Sequence, residues 1–171
     1  MFAIGIKDTD ISNDAKERMK KAYAVEILNE MLFSQSSVFY NELYEKNLIS
    51  PDLSSGYEHT TRCSFNQVSS ESDNPEAVYD YFVKYIENAK KNGLDKEVFE
   101  LAKRTVYASN IKSFDSTEEI ANNMVYNLFD GADILDAPDV IDSVTFEYVS
   151  KLLCDMYKEE FYAMSVVNPI E

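Results

Sequence analysis

The stretch Ser36-Ser37-Val38-Phe39-Tyr40-Asn41-Glu42-Leu43-Tyr44-Glu45-Lys46-Asn47-Leu48-Ile49 decides how the chain is read. Ser36 or Ser37 can accept a backbone N–H and open a helix. Phe39, Tyr40, Leu43 and Tyr44 then fall on one inward face at helical spacing, and Pro51 forbids continuation. The segment that follows, Leu53 to Glu71, changes period. Tyr57, His59, Thr61, Cys63 and Phe65 occupy alternate positions among Thr, Ser and aromatic residues, which predicts one long strand or two pleated pieces. A short amphipathic helix running directly into a half-buried strand calls for a sheet with helices layered on it.

Working outward, Phe2 to Lys7 carries Ile4 and Ile6 and predicts a strand. Asp8 to Asn13 is turn-forming. From Asp14 a helix is expected, with Tyr23, Ile27, Leu28, Met31 and Leu32 in one stripe and Lys16, Glu17, Lys20 and Lys21 on the solvent side. Downstream, Asp73-Asn74-Pro75 starts a helix, because Asp or Asn can cap and Pro is tolerated in the first turn. That helix buries Val78, Tyr79, Phe82, Val83, Ile86 and Ala89 and stops at Gly93. A further helix over Asp95 to about Phe114 sets Val98, Leu101, Ala102 and Thr105 on its stripe. Ser116-Thr117-Glu118-Glu119 reads as a capping box, followed by Ile120, Met124, Val125 and Leu128 facing inward and Gly131 past the end. Thr145 caps a last helix with Tyr148, Val149, Leu152, Leu153 and Met156, and Phe161 to Val167 closes the chain as a strand ended by Asn168-Pro169. The order is strand, two helices, strand region, three or four helices, strand. It predicts an α+β fold, an antiparallel or mixed sheet with helices on one face, formed as a single domain over residues 1–171.

Composition narrows the function classes. Sixteen Lys and Arg against 31 Asp and Glu give a net charge of −15, which opposes phosphate backbones and anionic lipid surfaces, so neither nucleic acid nor membrane is an expected partner. No apolar run approaches the roughly 20 residues needed to span a bilayer. The N-terminus lacks a basic segment followed by a long apolar one, which makes cytoplasmic residence the default expectation. Cys63 and Cys154 lie far apart without metal-ribbon or redox spacing and are expected to be buried fillers.

The motifs Ser-Ser-x-x-Tyr-x-x-Leu-Tyr-Glu-Lys from Ser36 to Lys46, Asp-x-Pro-Glu from Asp73 to Glu76, Leu101-Ala102-Lys103-Arg104 with Ser113-Phe114-Asp115-Ser116, Ile120-Ala121-Asn122 and Asp142 to Val149 occur in an order that resembles the C-terminal half of pitrilysin/insulinase-type zinc peptidases, a family that includes mitochondrial processing peptidase and respiratory-complex core proteins. The resemblance implies the metallohydrolase-domain fold of that family and a role as the noncatalytic wall of a peptide chamber. The zinc of active relatives belongs to a homologous N-terminal domain or subunit with an inverted His-x-x-Glu-His helix, which would be the partner here. The chain's one histidine, His59, is followed by Thr60, Thr61, Arg62 and Cys63, so the motif cannot be built from it and no catalytic, cofactor or metal residue is assigned. Relatives also carry an arginine, and a tyrosine seven residues later, that reach toward substrate. Tyr44 stands at the arginine position and Ser50-Pro51 near the tyrosine position. Relatives have another strand before the equivalent of Phe2, so one sheet edge is expected to be unpaired and open to a second copy or an extended peptide.

Tyr44, Ser50, Tyr57 and His59 are the expected peptide-facing residues. A His59–Cys63 dyad is disfavoured, since residues four apart in a strand lie about 13 Å apart. The leading functional reading is a noncatalytic domain of such a peptidase or of an inactive paralogue. The others are a scaffolding domain without a protease role and a stand-alone peptide-binding module that adds a strand to its own edge.

Overall fold

The computed structural model describes residues 1–168. In chain order the elements are β1 (Phe2–Asp8), α1 (Ala15–Phe33), α2 (Val38–Glu45), β2 (Ser54–His59), β3 (Ser64–Ser70), α3 (Pro75–Asn92), α4 (Lys96–Ser113), α5 (Thr117–Asp130), α6 (Ala137–Ser143), α7 (Phe146–Met156) and β4 (Tyr162–Val166). The strands form one sheet in the order β2-β3-β1-β4, every neighbouring pair antiparallel. The expected α+β architecture is therefore present, in its antiparallel form. The N-terminal strand β1 lies inside the sheet, so the two free edges belong to β2 and β4 and not to the start of the chain.

Strand alternation assigns the two faces. Phe2, Ile4, Ile6 and Asp8 of β1 and Ser64, Asn66, Val68 and Ser70 of β3 are buried beneath the helices, while Lys7, Gln67 and their neighbours point to the uncovered side. Ala24, Val25, Ile27 and Leu28 of α1 close directly over this face, joined by Phe82 and Ile86 of α3 and by Val149 and Leu153 of α7. Rings at the end of α1 fasten the layer. Phe33 meets Phe39 edge-on at 5.2 Å and stacks on Phe82 at 6.0 Å, contacts that add to simple burial.

A polar knot crosses this core. Asn29 of α1 and Asn66 of β3 exchange amide hydrogen bonds of 2.8 and 2.7 Å, and Asn66 also donates to the Tyr157 hydroxyl at 2.7 Å. Burial pushes the Tyr157 phenol far above its usual range, and the hydrogen bond from Asn66 only partly offsets it. A second buried contact contradicts the expected solvent position of Lys21, whose Nζ lies 2.8 Å from Asp8 Oδ2 under the end of the sheet. The charge on Asp8 at the last position of β1 draws the lysine inward, because a buried carboxylate must be paired.

Other departures have local causes. Helix α2 starts at Ser37, which accepts from Tyr40 N, and Phe39, Tyr40 and Leu43 are buried. Tyr44 is exposed and stacks on Tyr40 at 5.6 Å, because an eight-residue helix has room to bury only one side. In α4 the buried stripe is Phe99, Ala102 and Val106, with Val98, Leu101 and Thr105 outside it. The period is as expected and its phase differs by one residue.

The segment 53–71 is a hairpin, and its turn reverses the alternation: Tyr57 pairs with Asn66 and Glu58 with Phe65, so Phe65 faces away from Tyr57 and His59. Cys63 sits in that turn and Cys154 on the outer side of α7, and both are exposed. Five helices follow the hairpin in place of three or four. The extra one is the short α6, entered through a 3-10 turn at Ile134–Asp136 and carrying Pro138 in its first turn. Pro169 of the expected strand terminator lies outside the described residues.

Candidate functional site

Tyr57 and His59 stand on the helix-facing side of the edge strand β2, opposite α1. There they line a cavity of ≈ 450 Å³ together with Tyr23, Glu26, Asn110 and Tyr126, among others. Strand β2 places residues 55, 57 and 59 on this side because side chains alternate along a strand. Helix α1 contributes Met19, Tyr23, Glu26 and Glu30 at helical intervals, and α5 contributes Asn123, Tyr126, Asn127 and Asp130.

The His59 ring stacks on Tyr57 at 5.7 Å and meets Tyr126 edge-on at 5.5 Å. Tyr126 donates from its hydroxyl to the His59 carbonyl at 2.7 Å. Among the described residues, His59 Nδ1 and Asn110 Oδ1 are buried polar atoms without a hydrogen-bond partner.

Burial lowers the His59 pKa from its ordinary 6.5. The Arg18 charge adds to that, and the Asp130 carboxylate partly offsets it. The imidazole is thus held neutral. Burial, reinforced by the neighbouring Glu30, raises the carboxyl of Glu26. The Tyr23 phenol is pushed up to about 12, chiefly by burial and then by Glu26. Tyr57 is pushed higher still by burial, because its hydroxyl donates to Asp8. The cavity is therefore rich in acceptors, and burial opposes charge on His59, Glu26 and the two phenols.

No nucleophile is brought to the imidazole. Cys63 belongs to the turn, where its N–H donates to Thr60 Oγ1 and its carbonyl accepts from Thr60. Nor does the donor set suit zinc. Among the described residues no three His, Cys, Asp or Glu side chains converge as a metal-holding group, and Asp130, the carboxylate that acts on His59, is already tied to Arg18 at 3.1 Å. The described residues of this chain therefore do not fit a zinc ion.

Tyr44 and Ser50 lie at the opposite end of the sheet from Tyr57 and His59. Ser50 Oγ is 3.1 Å from Ser70 Oγ, at the end where β3 meets Phe2 of β1, while Tyr57 reaches Asp8 at the other end of β1. Ser50 borders a separate hollow of ≈ 620 Å³ with Met1, Asn47 and Glu71. The four expected residues thus form two groups, not one surface. The sequence reading missed Arg18 and Tyr126, which position the wall of the first cavity. Their signal is weak, since an arginine in the first turn of a helix and a tyrosine in a Tyr-rich chain carry no distinguishing pattern.

Comparison with known proteins places this geometry in a family. Residues 12–106 match the sequence profile of the Peptidase M16 inactive domain. The chain is 25% identical over 150 residues to the uncharacterized zinc protease YmfH of Bacillus subtilis, covering 88% of this chain and 35% of that protein. It spans about a third of that relative's length. Among solved structures, one described as an M16-like peptidase from Alicyclobacillus acidocaldarius superposes with a TM-score of 0.88 at 19% identity, over 95% of this chain and 39% of that one. A peptidase M16 inactive domain from Pseudomonas fluorescens superposes with a TM-score of 0.72 at 16% identity, over 95% of this chain and 40% of that one. These structural likenesses carry the fold, and the profile match, over more than half of the sequence, carries the family. The chain belongs to the Peptidase M16 inactive-domain family.

Proposed function

We propose that the chain works as the noncatalytic domain of a zinc peptidase or of an inactive paralogue, as one unit over residues 1–171. In this reading it packs against a homologous zinc-bearing domain and forms part of the wall of a peptide chamber. The observation that carries the proposal is the match to the M16 inactive-domain profile together with the want, among the described residues, of three donors that converge to hold a metal. Contribution then comes through shape and contact.

The uncovered sheet face supports a wall role. One part of it offers Ala3, Gly5, Ser54, Gly56, Ser69 and Ser165, small side chains that let an extended backbone lie close, while Lys7, Glu58, Phe65 and Gln67 stand up from the rest. Strand β2 is a free edge beside that face and carries Tyr57 and His59 on its other side, and β4 is the second edge. An extended peptide would contact the β2 end first, by strand addition, with Tyr44 and Ser50 contributing at the far end of the sheet.

The test is co-purification of the full chain with a His-x-x-Glu-His domain of the same family from the same genome. The expected result is a one-to-one complex. Failure of the two to associate at micromolar concentrations, with peptide bound by the isolated chain, would move the assignment to a stand-alone peptide-binding module.

A further inference from the structure

Helix α5 is mounted inside out. On a 3.6-residue repeat, Asn123, Tyr126, Asn127 and Asp130 share one side, while Ala121, Met124, Val125, Leu128 and Phe129 fill an arc of ~140° on the other. A surface helix ordinarily lays its apolar arc on the core. Here the polar side faces the protein and lines the cavity over His59. None of the 14 residues is buried, and Leu128 and Phe129 are 75% and 87% exposed. The expectation that Ile120, Met124, Val125 and Leu128 point inward is overturned. Only Ile120, at the margin of the arc, is half-buried.

The orientation is fixed by specific bonds. Arg18 Nε donates to both carboxylate oxygens of Asp130 at 3.1 Å, and Tyr126 donates to the His59 carbonyl at 2.7 Å. The helix ends in Gly131, whose φ of +80° is the left-handed conformation that favours glycine.

We propose that the outward arc of α5 is the seat of a companion domain, one presenting an apolar strip rimmed by Lys and Arg. This rests on the reading of the chain as one domain of a larger peptidase. Three observations select that occupant. First, the chain spans 35% of YmfH and 39% of the Alicyclobacillus structure, so relatives carry a majority of polypeptide that this domain lacks and that must pack somewhere.

Second, α5 bears Glu118 and Glu119 with no Lys or Arg, and Asp133 follows it, while Asp130 is turned inward onto Arg18 and Asp136 lies 3.5 Å from Lys16 Nζ. A second copy would set the same acidic rim, and another net charge of −15, against itself. A lipid-lying helix needs a basic polar face, which this one does not have. Third, the helix is held in place by its own contacts, so the patch is preformed and little ordering cost opposes docking.

The experiment titrates the purified His-x-x-Glu-His domain from the same genome into the full chain, and into Leu128→Glu/Phe129→Glu, by isothermal calorimetry. Amide exchange of α5 is followed in parallel. The expected result is a loss of about thirtyfold or more in affinity for the double variant, with α5 amides protected only in the wild-type complex. The exposed positions predict an unchanged melting temperature. Should the double variant misfold, Met124→Ser/Phe129→Ser replaces it and is expected to lose about tenfold.

Equal binding by wild type and variant would overturn the α5 seat while leaving the domain reading intact. No binding by wild type would remove the companion reading and the seat together. Wild-type dimers in sedimentation velocity that become monomers in the double variant would replace the committed occupant with a second copy, which also overturns the proposal.

Discussion

At the scale of single residues, the buried amide pair of Asn29 and Asn66 is where the fold is least tolerant. Asn66→Ala removes both inter-amide bonds and the bond to Tyr157, leaving the Asn29 Nδ2 donor unsatisfied in the core while Asn29 Oδ1 still accepts from the Tyr157 hydroxyl at 3.2 Å. The expected cost is about 3 kcal/mol, seen as a fall of about 9 °C in melting temperature for a chain of this size. Cys154→Ser, on the solvent side of α7, is expected to stay within about 0.5 kcal/mol.

His59 supplies a pH signature. Its folded pKa is lowered by burial, so below about pH 6.5 the unfolded chain binds a proton that the native ring resists, and stability falls as pH drops toward the folded value. Glu26 acts with the opposite sign. Its raised carboxyl binds a proton more readily in the native state, so its contribution declines as pH rises from the ordinary glutamate range toward the folded value. Denaturant titrations of wild type and His59→Phe between pH 5 and 8 should therefore show a difference confined to the acid side. Parallel curves would show that His59 is not held neutral.

The sequence gives little warning of either residue's setting. Asparagine inside a helix and inside a strand reads as exposed, and only the pairing of β3 beneath α1 reveals that the two satisfy each other.

At the scale of elements, the ion pair of Arg18 and Asp130 is the buried half of the attachment of α5, beside the Tyr126 bond to the His59 carbonyl. Arg18 and Asp130 side chains are 6% and 11% exposed, so neither can fall back on water. Arg18→Gln leaves a nearly buried carboxylate without its cation, and the expected cost is about 3 kcal/mol. The loss should be local. Hydrogen exchange of α5 amides is expected to accelerate strongly while β1 and β3 keep their protection, and uniform acceleration across the sheet would contradict the clamp.

Helix starts were the most legible features of the chain, because a cap is local chemistry. Ser37, Asn74, Ser116 and Thr145 each accept the backbone N–H that their position requires. Of the capping box expected at Ser116, the serine half is present, accepting from Glu119 N. Which way a stripe faces was less legible. In α4 the apolar residues are numerous enough to support two phases one residue apart, and in α5 the pattern reports an apolar arc without saying what it covers. Of the two alternatives for residues 53–71, two pleated pieces are present, and the unbroken alternation through Phe65 fails for a geometric reason, since the turn at residues 60–63 swaps the parity of the faces.

At the scale of the whole molecule, an antiparallel sheet with helices over one face leaves the other face and two edges available. The α+β arrangement was legible from the order of elements, because a strand at each end of a mostly helical chain must meet the central strands to bury its apolar side. The position of β1 in the interior was not, since pairing partners depend on the return of β4 alongside it. Among the described residues no helix is long and apolar enough to cross a membrane, and the charge of −15 favours a basic surface as the docking counterpart.

The proposed role has the chain acting through shape and contact and not through a metal centre of its own. The most direct test is elemental analysis of the full chain after dialysis against micromolar zinc, paired with an assay of peptide cleavage with and without chelator. The expected result is no stoichiometric zinc and no chelator-sensitive cleavage. One zinc per chain, with turnover that vanishes in His59→Ala, would contradict it.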